Sequence, residues 1–500
     1  MIKIQVNNEM FVYDMYHISK AFCPGAQIEQ KVDKESSQAV LIWLTDCNGK
    51  QSHLTINEEE IDKIEDRKLK KRYVNLKVYD WLSKVTGKGL AWGVMTGVRP
   101  TKPMMNLIDR GMSDEEVIKW MQENYQVTDE KAYLGIAVAK KEKELLEQLD
   151  YKDGYSLYVG IPFCPTTCSY CSFTSYSIAE WKQRVDEYLN AVCKELSFIA
   201  EKSKNKKLNT IYIGGGTPTT LEPEQLDRLL THLKTSFSYD DLKEITVEAG
   251  RPDSITREKL EVLKAHNIRR ISVNPQTMQQ KTLDLIGRRH TVEDIRSVYA
   301  MAREIGFDNI NMDLIAGLPE ETVEDMRDTL EQIKEMAPDS LTVHALAMKR
   351  TSRMTQEKKL TQQRGEFFAG QHDTANSEEE TANTLSQMIE LASNYAKQMD
   401  LEPYYLYRQK NIAGNFENVG YAKVDKAGIY NILIMEEKQS IIAVGAGAST
   451  KVVVPDDKVM IDPKTGNPKK IVRVENVRDI EQYISRIDEM IQRKGELLWH

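Results

Sequence analysis

Between Tyr155 and Leu346, short runs rich in β-branched and aromatic residues alternate with amphipathic helical segments, and this alternation restricts the fold more than any other feature of the chain. The predicted strands are Ser156–Ile161, Thr210–Ile213, Glu244–Glu248, Arg270–Val273, Asn309–Ile315 and Leu341–Leu346. Between them lie predicted helices at Ala179–Lys202, Pro223–Lys234, Arg257–Asn267, Val292–Ile305 and Val323–Met336. Strands separated by helices of this length imply βαβ units and a parallel sheet. No dinucleotide fingerprint follows the first strand, which favours a curved, barrel-like sheet over a doubly wound one. The expected fold class is α/β, a partial (β/α)6 TIM-like barrel, with its chemistry at the C-terminal ends of the strands.

Those strand ends carry unusual residues. The first runs into a cysteine loop, the second into Gly214-Gly215-Gly216-Thr217-Pro218, the third into Glu248, the fourth into Gln276 and the fifth into Asp313. Gly317-Leu318-Pro319 follows the fifth strand and Lys349-Arg350 the sixth.

A chain of 500 residues is too long for one compact core, so flanking modules are expected. Residues 1–150 read as an N-terminal α+β accessory domain, with strands at Met1–Val6 and Ala39–Leu44. In it a helical stretch runs from Glu58 to Val85, with Leu69, Tyr73, Leu76, Val78 and Leu82 on one face, and a second from Ser113 to about Leu149. Residues 151–350 form the barrel, and 351–380 a polar linker. Residues 381–500 form a C-terminal α+β module covering the substrate, with a helix at Thr381–Met399, a strand hairpin around Tyr430–Val444 and a closing helix from Asp479 to Leu498.

A net charge of -8 gives no bulk electrostatic footprint for nucleic acid. The start lacks a secretory layout and no apolar run reaches the length of a spanning helix, so a cytoplasmic protein with reduced thiols is expected.

Among 6 cysteines, Cys23, Cys47 and Cys193 stand alone, whereas Cys164, Cys168 and Cys171 share one loop. Their C-x3-C-x2-C spacing does not match structural zinc, which completes four ligands with paired C-x2-C knuckles or histidine. Three thiolates suit a [4Fe-4S] cluster with one iron left open. A zinc site with a distant fourth ligand is the alternative.

The segment Tyr158-Val159-Gly160-Ile161-Pro162-Phe163-Cys164-Pro165-Thr166-Thr167-Cys168-Ser169-Tyr170-Cys171-Ser172-Phe173 resembles the cluster loop of radical S-adenosylmethionine (SAM) enzymes. The resemblance is to the group containing oxygen-independent coproporphyrinogen III oxidase and the related haem chaperones. It extends to about Leu346, and the long N-terminal module places HemZ-type members nearest.

That resemblance implies a [4Fe-4S] cluster on Cys164, Cys168 and Cys171, whose open iron binds the amino and carboxylate groups of SAM, and an electron donor for the cluster. It implies that Gly214, Gly215, Gly216 and Thr217 meet the methionine end of SAM, that Glu248 holds the ribose, and that Arg288 holds the SAM carboxylate. Gln276 and Asp313 would bind polar groups of SAM, with Tyr158, Tyr170 and Phe173 lining the pocket. For Glu248 a ligand role also follows from the cost of burying an unpaired carboxylate; for Arg288 the alternative is a solvated patch with Arg289 and His290. Ile315–Pro319 would pack against the adenine. Phe173 stands where decarboxylating members carry a fourth cysteine and Gly160 where they carry histidine. The stretch Lys410–Phe416 lacks the histidine of the chaperones' haem-binding pattern, while Val444–Ser449 resembles a glycine-rich turn of both subgroups.

The function implied is radical-mediated oxidative decarboxylation of coproporphyrinogen III to protoporphyrinogen IX in haem biosynthesis. The alternative is a haem chaperone with little decarboxylase activity; an anaerobic haem-degrading methyltransferase is a further possibility. A tetrapyrrole with four propionates needs fixed cations, for which Arg350, Arg353 and Arg408, with Lys349 and Lys410 nearby, are candidates. An ordinary charged loop is their alternative reading.

Overall fold

The computed structural model describes residues 1–46, 49–346, 374–408, 416–455, 458–461 and 468–499, with the side chains of 374–379 left aside. Its central feature is an 11-stranded mixed sheet. The strands, in chain order, are β1 (Gly154–Ile161), β2 (Lys207–Gly215), β3 (Glu244–Gly250), β4 (Arg270–Val273), β5 (Asn309–Ala316) and β6 (Ser340–Ala345), followed by β7 (Glu402–Arg408), β8 (Glu417–Ala422), β9 (Ser440–Val444), β10 (Ser449–Val453) and β11 (Ile471–Glu475). The spatial order is β7-β8-β6-β5-β4-β3-β2-β1-β9-β10-β11.

Strands β1 to β6 are parallel neighbours in sequence order, as the alternation requires. One face of these strands is apolar, which is what a sheet covered by crossover helices needs, while the opposite face carries polar residues such as Ser156, Thr210, Thr246, Glu248, Ser272, Asn311 and Asp313. Leu157, Val159, Ile211, Val247, Ile271, Ile310, Met312, Leu314 and Leu341 are all fully buried. Tyr405 and Tyr407 on β7 and Lys451 on β10 come from near opposite ends of the strand order yet line one cavity. The sheet therefore curves around that cavity.

The segment after residue 380 is continuous with the barrel. It adds β8 antiparallel to β6 and β7 antiparallel to β8 on one edge, and β9 parallel to β1 on the other. The helix preceding β7 begins at Thr374, inside the stretch read from sequence as linker, and runs to Gln398. Where a hairpin was expected around Tyr430–Val444, residues Ile429–Glu436 form a helix and only Ser440–Val444 is strand. The cause is a tertiary cap: the Glu244 carboxylate on β3 accepts the Ile429 amide at 2.6 Å and the Tyr430 amide at 3.4 Å. An acidic group at a helix N-terminus satisfies donors that the helix cannot.

A second core belongs to the first part of the chain. A four-stranded sheet, ordered Ile28–Val32, Ile2–Val6, Gln38–Thr45, Gln51–Asn57, packs under the helices Glu9–Phe22 and Arg67–Thr86. The stretch from Glu58 is broken, because Asp66 caps a new helix through the amides of Lys68 and Leu69. Its buried face is Val74, Asn75, Val78, Tyr79 and Leu82, while Leu69 is 46% exposed. This core ends at Val94; the helices Asp114–Tyr125 and Asp129–Glu147, separated at Gln126, join the large core of the barrel instead. The C-terminal segment likewise splits into helices Ile480–Ser485 and Ile487–Gly495.

Candidate active site at the strand ends

Two cavities open at the C-terminal ends of the parallel strands. The smaller, about 250 Å³, is lined by Cys164, Cys168, Cys171, Tyr170, Gly215, Gly216, Thr217, Glu248, Gln276, Arg288 and Asp313, with Ser172, Phe173, Gly250, Arg251, Asn274 and His344 among its other walls. The strand-end residues do converge. The larger, about 760 Å³, shares Ser172, Phe173, Gly215, Glu248 and Tyr407 with the first.

The cysteine loop is pinned from two sides. Its carbonyls at Ile161 and Phe163 accept the amides of Gly216 and Thr217 at 2.8 and 2.7 Å, and Ser169 donates its amide to the Ile286 carbonyl at 3.0 Å. A Cβ on Gly216 would sit 2.5 Å from the Phe163 carbonyl oxygen, so that joint requires glycine. A Cβ on Gly214 would lie 2.8 Å from a Glu248 carboxylate oxygen. Gly214 thus makes room for Glu248 and does not itself line the smaller cavity.

Glu248 accepts the Tyr212 hydroxyl on one oxygen and the Gly215 amide, at 3.2 Å, on the other. Burial pushes its carboxyl up to about 7, with Asp313 adding to the rise and the two hydrogen bonds opposing it. Tyr170 donates to the Gln276 side chain at 3.3 Å, and Arg288 donates to the Asn274 carbonyl and to Tyr170. Gln276 is held at φ 69 beside the bridge between its own backbone and β5.

The remaining expectations fall out differently. Tyr158 lines the larger cavity only, where it stacks with Tyr212 and Tyr430. Phe173 is at the rim of both cavities and 70% exposed. Arg408 is a correction: it lines neither cavity, is 2% exposed, donates to the Met95 carbonyl at 2.6 Å and covers the Trp92 ring. Its cation is consumed in docking the loop after residue 91 against β7. Arg350 and Arg353, with Lys349 and Lys410, lie outside the described residues.

Arg251, which the sequence reading missed, lies one residue beyond β3. It donates to the Thr166 carbonyl at 2.8 Å and to the Cys168 sulfur at 3.6 Å, and forms a two-point pair with Asp253. Its place at a strand end was the available signal.

The donor set fits an iron-sulfur cluster with SAM. Three thiols with a guanidinium beside one of them line a single cavity, and among the described residues no three His, Cys, Asp or Glu side chains gather on one ion position. A mononuclear zinc site needs such a gathering, whereas a cluster takes each thiolate on its own iron. Burial pushes the Cys164 thiol up to about 11, with Cys171 and Cys168 adding to the rise, so metal binding must expel protons. Arg288 Nε and Asn274 Oδ1, both buried, have no hydrogen-bond partner among the described residues. One donates and the other accepts, as the carboxylate and amine of an amino-acid ligand require.

Residues 158–333 match the family model described as Radical SAM superfamily. The chain is 40% identical over 453 residues, covering 90% of itself and 85% of its relative, to the oxygen-independent coproporphyrinogen-III oxidase-like protein HemZ of Bacillus subtilis. The chain belongs to the radical SAM superfamily, within the family of HemZ-like proteins. Heme chaperone HemW of B. subtilis is 40% identical over 192 residues, 38% of this chain and 50% of that protein. The fold of this HemZ-family chain is that of coproporphyrinogen III oxidase HemN from Escherichia coli, at TM-score 0.51 and 23% identity, covering 70% of this chain and 73% of that one. Members of the radical SAM superfamily generally bind a [4Fe-4S] cluster and SAM. No described helix of this HemZ-family chain is long and apolar enough to cross a membrane.

Glu248 gives a testable pH signature. Its carboxyl titrates near 7 when folded and near 4.5 when unfolded, so the folded apoprotein binds the extra proton and loses stability as pH rises through that window. Glu248→Gln should flatten this decline, by about 1 kcal/mol or more between pH 5 and 8, and should weaken SAM binding. Parallel pH profiles of the thermal midpoint that retain the same slope in the variant would remove Glu248 as its source.

Proposed function

We propose that this chain is a radical SAM enzyme that oxidatively decarboxylates coproporphyrinogen III to protoporphyrinogen IX, with Cys164, Cys168 and Cys171 holding the cluster. The observation that carries this reading is the larger cavity abutting the cysteine-lined one through a shared wall at Gly215, Glu248 and Tyr407. At about 760 Å³ it lies in the range of cavities that enclose a cofactor-sized ligand. Its five tyrosines, Tyr158, Tyr212, Tyr405, Tyr407 and Tyr430, present flat amphipathic surface to a macrocycle.

When bound, the cluster and SAM supply the 5′-deoxyadenosyl radical that abstracts hydrogen from a propionate side chain. Loss of CO2 and of one electron to an external acceptor then leaves a vinyl group. The protein's part is placement and exclusion of water. Gly215, Gly216 and Thr217 offer backbone groups beside the cysteines, Glu248 accepts ribose hydroxyls, and Arg288 with Asn274 holds the methionine end. Gln276 and Asp313 complete the polar wall, and Tyr170 orients Gln276 and Arg288. Charge-assisted donors fixed in a buried cleft bind without reorganising.

Anaerobically reconstituted protein given SAM, a reductant and coproporphyrinogen III is expected to yield 5′-deoxyadenosine, CO2 and protoporphyrinogen IX. Absence of all three rejects the reading. The likeness to heme chaperone HemW over the barrel favours one second reading, a haem carrier. That reading expects stoichiometric haem with a Soret band and no SAM consumption above background.

A further inference from the structure

We propose that Lys451 and Arg478 are the carboxylate anchor of the larger cavity, receiving two acidic side chains of the tetrapyrrole; this rests on the tetrapyrrole reading above. Among the described residues lining that cavity, the formally charged ones are Glu248, Lys451 and Arg478. Glu248 is shared with the smaller cavity and committed to Tyr212 and Gly215. The two cations sit on strand β10 and just beyond β11, beside the glycine-rich turn Gly445–Ala448.

The carboxylate beside Lys451 is shared with other cations. Among the described residues Glu437 is the one carboxylate paired with Lys451, at 3.8 Å, and it also receives Arg99 at 2.7 Å and Arg473 at 3.2 Å. Glu437 is thus shared among three cations and does not neutralise Lys451 alone, although Glu436 also lies near Arg99. Burial pushes the Lys451 ammonium down from its usual range; Glu437 opposes that fall, and Arg473 and Arg99 add to it. An incoming anion would give Lys451 a second partner. The Arg478 guanidinium makes no hydrogen bond or ion pair among the described residues, while its stem lies against Gly447. A free guanidinium at a cavity mouth is suited to two-point capture of a carboxylate.

The rest of the wall near these cations is neutral: Tyr158, Tyr430, Asn431, Ile434, Met435 and Ile441. Such a site accepts a flat apolar ring against the tyrosines and acidic arms toward the β10 end. The anchor takes the place of Arg408, which is occupied elsewhere, and Arg350 and Arg353 lie outside the described residues.

The test is fluorescence titration of the full chain, anaerobically reconstituted, with coproporphyrin III and separately with its tetramethyl ester. The unaltered protein is expected to bind the free acid about tenfold tighter than the ester or more, and Lys451→Met and Arg478→Met each to weaken acid binding about tenfold while leaving the ester unchanged. Thermal midpoints of both variants serve as the check on folding. Unchanged acid binding in both variants, with the acid-over-ester preference kept, overturns the anchor and leaves the decarboxylase reading standing. Equal weakening for acid and ester also overturns it, because the loss is then one of packing. Failure of the unaltered protein to bind either porphyrin rejects the functional reading itself.

Discussion

Cys168→Ala is expected to abolish cluster retention: iron and acid-labile sulfide should fall from about four of each per chain to near zero, and SAM cleavage should fall at least about a hundredfold. Cys168 is the buried member of the triad, within 3.6 Å of the Arg251 guanidinium. Arg251 is itself fixed by Asp253 and by the Thr166 carbonyl, so the thiolate and its counter-charge are set by one rigid construction. Two thiolates cannot hold a cubane that three hold, because each supplies the bond to its own iron. The matched control is Cys193→Ala, on the outer helix Val185–Lys202, which should retain full iron content. Iron and sulfide unchanged in Cys168→Ala would remove the triad as the metal site. A loss in Cys193→Ala equal to that in Cys168→Ala would point to general instability instead.

The sequence makes this triad legible because its information is local. Spacing within one loop, a glycine run at the next strand end and a carboxylate at the third are all visible before any fold is known. The barrel strands are legible for the same reason, since β-branched runs and the helical period each depend on neighbours in sequence. What stays hidden depends on contacts between distant segments. The helix Ile429–Glu436 exists because Glu244, on another strand, caps it. Arg408 reads as a ligand cation until Trp92 and the Met95 carbonyl are found around it. The stretch after Glu58 breaks because Asp66 prefers to cap, which cuts one periodic pattern into two helices. Arg251 was readable by the strand-end rule that selected Glu248, and the anchor at Lys451 was not, because β10 reaches the cavity only after the sheet has curved.

The second large effect concerns the closing helix. Lys494 on Ile487–Gly495 and Glu195 on Val185–Lys202 form an ion pair that is fully buried on both sides. Glu195 also accepts the Tyr483 hydroxyl at 2.7 Å, the Asn476 amide group at 3.0 Å and the Gly445 backbone amide at 3.1 Å. Lys494 donates onward to the Asn476 side-chain carbonyl at 2.6 Å, and Asn476 donates to the Gly445 carbonyl at 2.8 Å. One network thus ties the C-terminal helix to the turn whose residues Ala446 and Gly447 line the larger cavity. Lys494→Met leaves the Glu195 charge buried without its counter-ion and should cost about 3–5 kcal/mol of unfolding stability. Glu195→Gln with Lys494→Met removes both charges and should recover part of that loss, because the penalty comes from the orphaned charge more than from the missing attraction. Chemical denaturation of the single and double variants measures the coupling directly. A double variant no more stable than Lys494→Met would mean that packing of the lysine stem, and not its charge, holds the closing helix in place.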